Sequence, residues 1–321
     1  MKEIKITEIE GIRVGHAHDL NAATGCTVVL CEQGAVAGVD VRGGAPGTRE
    51  TDLLNPVNTV EKIHGVLLTG GSAFGLDAAA GVMQYLEEKN VGHVTRIMKV
   101  PIVCGAVLFD LGVGDHRVRP DKKMGYQACL NASDTDCPEG NVGAGMGATV
   151  GKVLGRDRCM KSGLGTFSLQ AGALRVGAIA AVNCVGDVVD PEAGKILAGA
   201  LDEKKTSFVE TEKIIIEQYD NAQKPFGENT TIGVVVTNAR LTKAQAAKVA
   251  SMAQNGYART IRPAHSMFDG DTIFCMATGQ VDAEVNAVGV LAVKTTEQAV
   301  IRAVKKAGSL YGLKCWADLQ T

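Results

Sequence analysis

The run Gly227-Glu-Asn-Thr-Thr-Ile-Gly-Val-Val-Val-Thr237 constrains this chain more than any other segment. From Thr231 to Thr237 it is apolar and mostly β-branched, the pattern of a buried strand. The residues before it are charged and read as exposed. A small hydroxyl side chain, Thr230, therefore stands where a surface segment enters the core. This arrangement suits a chain that cuts itself between Asn229 and Thr230 and then uses the new N-terminal Thr as a nucleophile. A Thr hydroxyl is weak at neutral pH and needs a nearby base, and a free α-amine on the same residue supplies one. An Asn-Thr pair is also an ordinary turn into a sheet, so the residues alone leave both readings open.

Composition narrows what surrounds that strand. Only 4% of the 321 residues are aromatic, so the core must be built from Ala, Val, Leu and Ile. The 39 glycines predict tight turns and close backbone approaches. The length allows one large domain or two small ones. A net charge of −2 without a basic block argues against a nucleic-acid partner. No window is long and apolar enough to span a membrane, and Met1-Lys-Glu-Ile-Lys5 lacks the apolar core of a signal peptide. Nine cysteines at irregular spacings, with no C-x-x-C pair, read as reduced thiols in a cytoplasmic protein.

The local pattern predicts strands at 26–31 and 35–41, paired through Glu32-Gln-Gly34, and another at 65–69. Gly70-Gly-Ser-Ala-Phe-Gly75 then turns into a helix over 76–88, and a short strand follows at 106–110. A glycine loop at 143–147 leads to Lys152. Residues 174–183 form a long Ala-rich strand ending at Asn183. Asp190-Pro-Glu192 is expected to start a helix that ends near Leu201. Residues 202–228, with Pro225 and Gly227, have room for a short helix but read best as a surface connection. Beyond the 231–237 strand, Thr242 is expected to cap a helix that Gly256 stops, 272–277 forms a strand, and Thr296 caps a final helix ending at Gly308. Strands and helices mix without strict alternation, which predicts a layered α+β fold.

Several motifs invite a chemical reading. The 70–75 turn sits where a nucleophile elbow would lie, but G-x-S-x-G requires glycine at 74 and Phe74 is there. It reads as a tight turn whose backbone N–H groups are able to receive an anion or oxyanion. The glycine pairs at 112–114 and 143–147 do not complete a dinucleotide fingerprint. His16-Ala-His18 has no matching ligands at metal-site spacing and reads as surface or capping. Asp269-Gly-Asp271 places two carboxylates at i and i+2, able to bind a cation, orient an amine, or simply shape a turn before the next strand.

Taken together, Leu68-Thr-Gly-Gly-Ser-Ala-Phe-Gly-Leu-Asp-Ala78, Val107-Leu-Phe-Asp110, Asn229-Thr-Thr-Ile-Gly-Val-Val-Val-Thr-Asn-Ala239 and Asp269-Gly-Asp271 resemble a known family. They are similar to the self-processing aminopeptidases that include D-/L-aminopeptidase–esterase, β-aminopeptidase and nylon-oligomer hydrolase. The resemblance covers nearly the whole chain. It implies one domain over 1–321 with an α/β/β/α sandwich shared with ornithine acetyltransferase. It also implies autocleavage into 1–229 and 230–321. Many relatives carry Ser as nucleophile; Thr230 looks more like the nylon-oligomer hydrolase branch, where a Lys, an Asn and an Asp-x-Asp pair accompany it. The matching positions are Lys152, Asn183, Asp269 and Asp271.

The resemblance implies a role for each. Thr230 would attack an amide carbonyl, with its α-amine moving the proton. Asn183 would donate to the oxyanion and Lys152 would add positive charge. Asp269 and Asp271 would hold the ammonium or hydroxyl in line, and an acidic cleft built from them would favour substrates with a free amine. No cofactor and no metal are implied. The expected substrates are short peptides or linear amides such as 6-aminohexanoate oligomers, with α- or β-aminopeptidase specificity, or acyl transfer as in ornithine acetyltransferase, as the alternatives. A homotetramer of processed pairs is implied. Some relatives place a Tyr near the nucleophile, and Tyr126 is a candidate without an alignment to support it.

Overall fold

A computed structural model describes residues 1–220 and 229–320. Eight strands carry the fold: β1 (Arg13–Asp19), β2 (Thr24–Val41), β3 (Lys62–Thr69), β4 (Val103–Val107), β5 (Leu164–Ala171), β6 (Leu174–Asn183), β7 (Thr230–Ala239) and β8 (Thr272–Val281). Four helices cover them: α1 (Ala78–Glu88), α2 (Lys122–Leu130), α3 (Lys243–Thr260) and α4 (Val285–Lys305). The hydrogen-bonded order is β5-β6-β7-β8-β2-β3-β4, with β1 also on β2. The β7–β8 and β3–β4 pairs are parallel and the rest of this path is antiparallel.

This path folds back on itself into two packed sheets, and β2 is the strand that belongs to both. Its first half pairs with β1 and β3, and from Val36 to Val41 it pairs with β8. The expected hairpin at 32–34 does not form. Leu30 pairs with Gly65 and Ala35 with Ile63 on the same strand, so the intervening residues are a bulge. Gly34 does take a left-handed conformation (φ 78°), but it serves a bend rather than a reversal.

Strand alternation then sorts the core into three layers. Between the sheets, Val29, Val66, Leu68 and Cys104 meet Ile179, Ile232, Val234, Phe274 and Met276. On one outer face Val28, Leu30 and Leu67 pack on Val82 and Leu86 of α1 and Cys129 of α2. On the other, Ala178, Ala180, Val235 and Cys275 pack on Val249 and Ala253 of α3 and Ala292 and Val300 of α4. The result is the α/β/β/α sandwich. The continuous apolar run of β7 follows from its burial on both faces. Glycine sets the layer spacing at two points. A Cβ on Gly38 would lie 2.2 Å from the Ala247 nitrogen of α3, and one on Gly165 would lie 2.1 Å from the Ala299 oxygen of α4.

Three other expectations are corrected. Thr242 caps α3 in a reciprocal capping box with Gln245, but the helix runs through Gly256 to Thr260. Gly256 is there because a Cβ would lie 2.7 Å from Thr296 Cβ on α4. Thr296 is inside α4, whose cap is the Glu284 carboxylate accepting the Ala287 N–H at 3.0 Å. Asp190 does not start a helix; it accepts the Glu192 and Ala193 N–H groups and closes a turn between the short strands Asp187–Val189 and Ile196–Ala198. Gly194, at φ 67°, reverses the chain there. The connection expected over 202–228 contains the helix Thr211–Glu217, tied to the core by Thr211 N–H and hydroxyl donating to the Asp187 carboxylate, both at 2.7 Å. Its Pro225–Gly227 part lies outside the described residues. Among the described residues no helix is long and apolar enough to cross a membrane.

Candidate active site

The ends of three neighbouring strands define the site. β6 ends at Asn183, β7 begins at Thr230, and their antiparallel register makes these two residues direct partners. Direct partners point their side chains to the same face of a sheet. β8 runs parallel to β7 with Thr272 opposite Ile232, which brings the 269–271 turn beside Thr230 and Thr231.

Thr230 is buried, and its hydroxyl donates to the carbonyl of Asn229. The Gly270 N–H lies 3.1 Å from the Asn229 carbonyl oxygen and 3.1 Å from Thr230 Oγ1. One backbone donor therefore addresses both the hydroxyl and the peptide carbonyl before it. The residues on either side of Gly270 fix this geometry. Asp271 Oδ1 accepts the Thr231 N–H at 2.8 Å, and Asp269 Oδ1 accepts the Val185 N–H at 3.1 Å. The segment 42–45 closes over the turn, with the Ala45 N–H on the Asp269 carbonyl (2.8 Å) and the Arg42 N–H on that of Asp271 (2.9 Å).

On the other side of Thr230, Lys152 and Asn183 form a buried pair. Lys152 Nζ donates to the Thr149 carbonyl (2.9 Å), the Asn183 carbonyl (2.7 Å) and Asn183 Oδ1 (3.0 Å). Asn183 Oδ1 also accepts the Thr149 N–H at 3.0 Å, and Nδ2 donates to the Phe109 carbonyl at 3.0 Å. Donors on Oδ1 and an acceptor on Nδ2 fix which end of the amide is which. Burial holds the Lys152 ammonium down, to about 8, against the pull of nearby Asp269. Burial, then the neighbouring Asp271, pushes the Asp269 carboxyl up to about 6.

All six residues singled out in the sequence (Lys152, Asn183, Asn229, Thr230, Asp269 and Asp271) thus belong to one connected cluster. Tyr126 does not: its hydroxyl donates to Glu88 at the outer α1–α2 layer. The amides of the 70–75 turn already serve an anion of the chain itself, since the Gly71 N–H donates to Asp110 at 2.7 Å. Asp110 also accepts from Thr24, and burial lifts its carboxyl to about 6. His16 bonds Thr27 and His18 accepts from the Gly143 N–H at 3.4 Å. Residues that sequence reasoning passed over are Gly270, as a backbone donor, and His265, Ser266, Thr149 and Phe109, as partners of the cluster. Their contributions are main-chain groups or contacts set by tertiary register, which no spacing in the sequence signals.

The sequence profile of peptidase family S58 matches residues 5–315. The chain is 43% identical to an uncharacterised aminopeptidase of Mycobacterium leprae, over 98% of this chain and 93% of that one. It is 32% identical to a 6-aminohexanoate-oligomer endohydrolase of Paenarthrobacter ureafaciens, over 88% of this chain and 77% of that one. In fold it is similar to the solved L-aminopeptidase D-Ala-esterase/amidase of Ochrobactrum anthropi, a variant of the Ntn hydrolase fold. The TM-score is 0.70 at 18% identity, over 94% of this chain and 86% of that one.

Proposed function

This chain belongs to peptidase family S58, and from that premise we propose that it is an amide hydrolase whose nucleophile, Thr230, is released by self-cleavage after Asn229. The observation that carries this reading is the Gly270 N–H, 3.1 Å from both the Asn229 carbonyl oxygen and Thr230 Oγ1. In self-cleavage Thr230 Oγ1 bonds to the Asn229 carbonyl carbon and loses its proton. Charge gathers on the carbonyl oxygen, where the Gly270 donor stabilises it. The C–N bond breaks and the Thr230 nitrogen takes up the proton that the hydroxyl released, becoming an amine. Water then hydrolyses the ester, giving chains 1–229 and 230–321 with a free α-amine on Thr230.

That amine activates the hydroxyl for substrates. Thr230 Oγ1 attacks the substrate amide carbon, the amine takes the hydroxyl proton and returns it to the departing nitrogen, and water later frees the acyl group. In this reading Asn183, the register partner of Thr230, serves as oxyanion donor through its side-chain amide, and the Lys152 ammonium, fixed on Asn183 and Thr149, adds positive charge there. Asp269 and Asp271 are fully buried with protein donors on their oxygens, so they act on the site's own groups. A substrate ammonium, if recognised, is recognised elsewhere.

The substrates proposed are short peptides and linear amides, and the endohydrolase relative makes 6-aminohexanoate oligomers the first to try. Denaturing electrophoresis with N-terminal sequencing tests the reading. Fragments beginning at Met1 and Thr230 are expected, with Thr230→Ala remaining intact and inactive. Turnover by material in which Thr230 never becomes a first residue would overturn it. Acyl-enzyme partitioning between water and added ornithine separates hydrolysis from acyl transfer.

A further inference from the structure

The two carboxylates of Asp269-Gly-Asp271 look to different halves of the site. Asp269 accepts from the Val185 N–H and the Ser266 hydroxyl. Val185 also accepts the Lys152 N–H at 3.0 Å, so Asp269 belongs to the Lys152–Asn183 side. Asp271 belongs to the Thr230 side. Its Oδ1 accepts the Thr231 N–H at 2.8 Å. Its Oδ2 accepts the His265 backbone N–H at 2.9 Å and lies 3.0 Å from His265 Nδ1.

His265 reaches that oxygen in an unusual way. It is a non-glycine residue in the left-handed region, at φ 58°. Such a conformation is strained for a residue with a side chain and persists where the surroundings impose it. Here it turns the backbone N–H and the ring nitrogen of one residue onto a single carboxylate oxygen. The ring is mostly buried, and its other nitrogen, Nε2, has no hydrogen-bond partner among the described residues. An ionised carboxylate only accepts hydrogen bonds, so the contact requires the proton on Nδ1.

We propose that His265 is a positioning residue for the Thr230 chemistry. It fixes Asp271, and Asp271 fixes the first peptide of β7 through the Thr231 N–H. Thr230 Oγ1 is thereby kept on the Gly270 donor. His265 acts through Asp271 and not on the reacting atoms, and the proposal rests on the reading of Thr230 as nucleophile.

Three variants separate positioning from bulk. Asparagine places an N–H donor where His Nδ1 stands, whereas glutamine places it one carbon too far. His265→Asn is expected to keep kcat and self-cleavage within about 3-fold of wild type. His265→Gln and His265→Ala should lose on the order of 10-fold or more in both, with KM within about 2-fold, as small misplacements at a reacting centre do. Equal loss in Asn and Gln variants, or wild-type kcat in the Ala variant, would overturn the proposal. Nitrogen NMR of the wild-type protein gives a second reading that needs no variant. A proton on Nδ1 is expected, and a His265 ring protonated only at Nε2 sinks the idea. If Thr230→Ala still turns over amides, the nucleophile reading fails whatever the tautomer, so the two failures are distinguishable.

Discussion

Asn183 and Thr230 are register partners across the antiparallel pair β6–β7, one the last residue of its strand and the other the first. The sheet thus delivers an amide donor and a hydroxyl to the same face at the same level, where the strands give way to loops. Asn183 is held there on three sides by the Thr149 N–H, Lys152 and the Phe109 carbonyl. A preorganised donor of this kind contributes mainly in the transition state.

Asn183→Ala is therefore expected to lower kcat by about 10²–10³-fold with little change in KM. Asn183→Asp should be at least as damaging, since it removes the donor and sets a negative charge where the oxyanion forms. Steady-state kinetics on fully cleaved enzyme check this. A kcat within a few-fold of wild type for the Ala variant would remove Asn183 from the mechanism.

The shifted carboxyl of Asp269 and amine of Lys152 predict the pH window. Asp269 ionises only as pH rises through about 6, and Lys152 loses its proton as pH rises through about 8. Self-cleavage should climb through the first and decline through the second. Hydrolysis adds a rising limb near ~7.7–8.0, because the Thr230 α-amine must be unprotonated to act. Its optimum should lie at higher pH than that of self-cleavage, whose nucleophile has no free amine. Stability moves the opposite way. Asp269 is raised above its unfolded value of 3.8, so its stabilising contribution is complete below 3.8 and lost as pH approaches 6. Lys152 is lowered from 10.5, so its contribution is present above 10.5 and lost as pH falls to about 8. Both groups are charged, at a cost to the fold, in the window where the chemistry needs them. Urea midpoints and precursor conversion followed from pH 5 to about pH 10 test both signs.

What was legible in the sequence was whatever a strand or a cap announces locally. The β7 run, the Ala-rich β6 ending at Asn183 and the Thr242 cap stand where the sequence suggested, and the fold brings the six candidate residues together. What was not legible depended on tertiary register. Gly34 and Gly256 carry the residue type of a turn and a helix stop, yet one bends a strand between two sheets and the other admits Thr296. Asp190-Pro191 satisfies the rules for a helix start and for a turn equally well, and pairing between its flanking strands decides. His265 and the Gly270 N–H carry no local pattern at all.

Close approach through glycine makes a separate stability prediction. Gly38→Ala puts a Cβ against backbone atoms of α3, at 2.2 Å from the Ala247 nitrogen, and the helix must move. A loss of about 1–3 kcal/mol is expected, as for overpacked cores. Gly65→Ala is the control on the opposite sheet, where the nearest atom is the flexible end of Leu30 at 3.4 Å. Its loss should be clearly smaller. Equal urea midpoints for the two variants would contradict the layer spacing described above.

Gly270 offers the sharpest separation of folding from chemistry. A Cβ there would lie 2.8 Å from Thr230 Oγ1 and 2.6 Å from the Ala45 carbonyl, so alanine crowds the hydroxyl while keeping its own N–H. To relieve the contact either the turn or the hydroxyl must shift, and both movements break the shared 3.1 Å geometry around the Asn229 carbonyl. Gly270→Ala should fold, with a loss of about 1–3 kcal/mol, yet cut itself on the order of 10–100-fold more slowly, as displacement at a reacting centre does. The time course of precursor loss on denaturing gels, beside the circular dichroism of the intact chain, gives the answer. Conversion at the wild-type rate in a folded Gly270→Ala protein would mean that this backbone donor has no part in the cleavage, and the geometry on which the nucleophile assignment leans would have to be read as an ordinary turn.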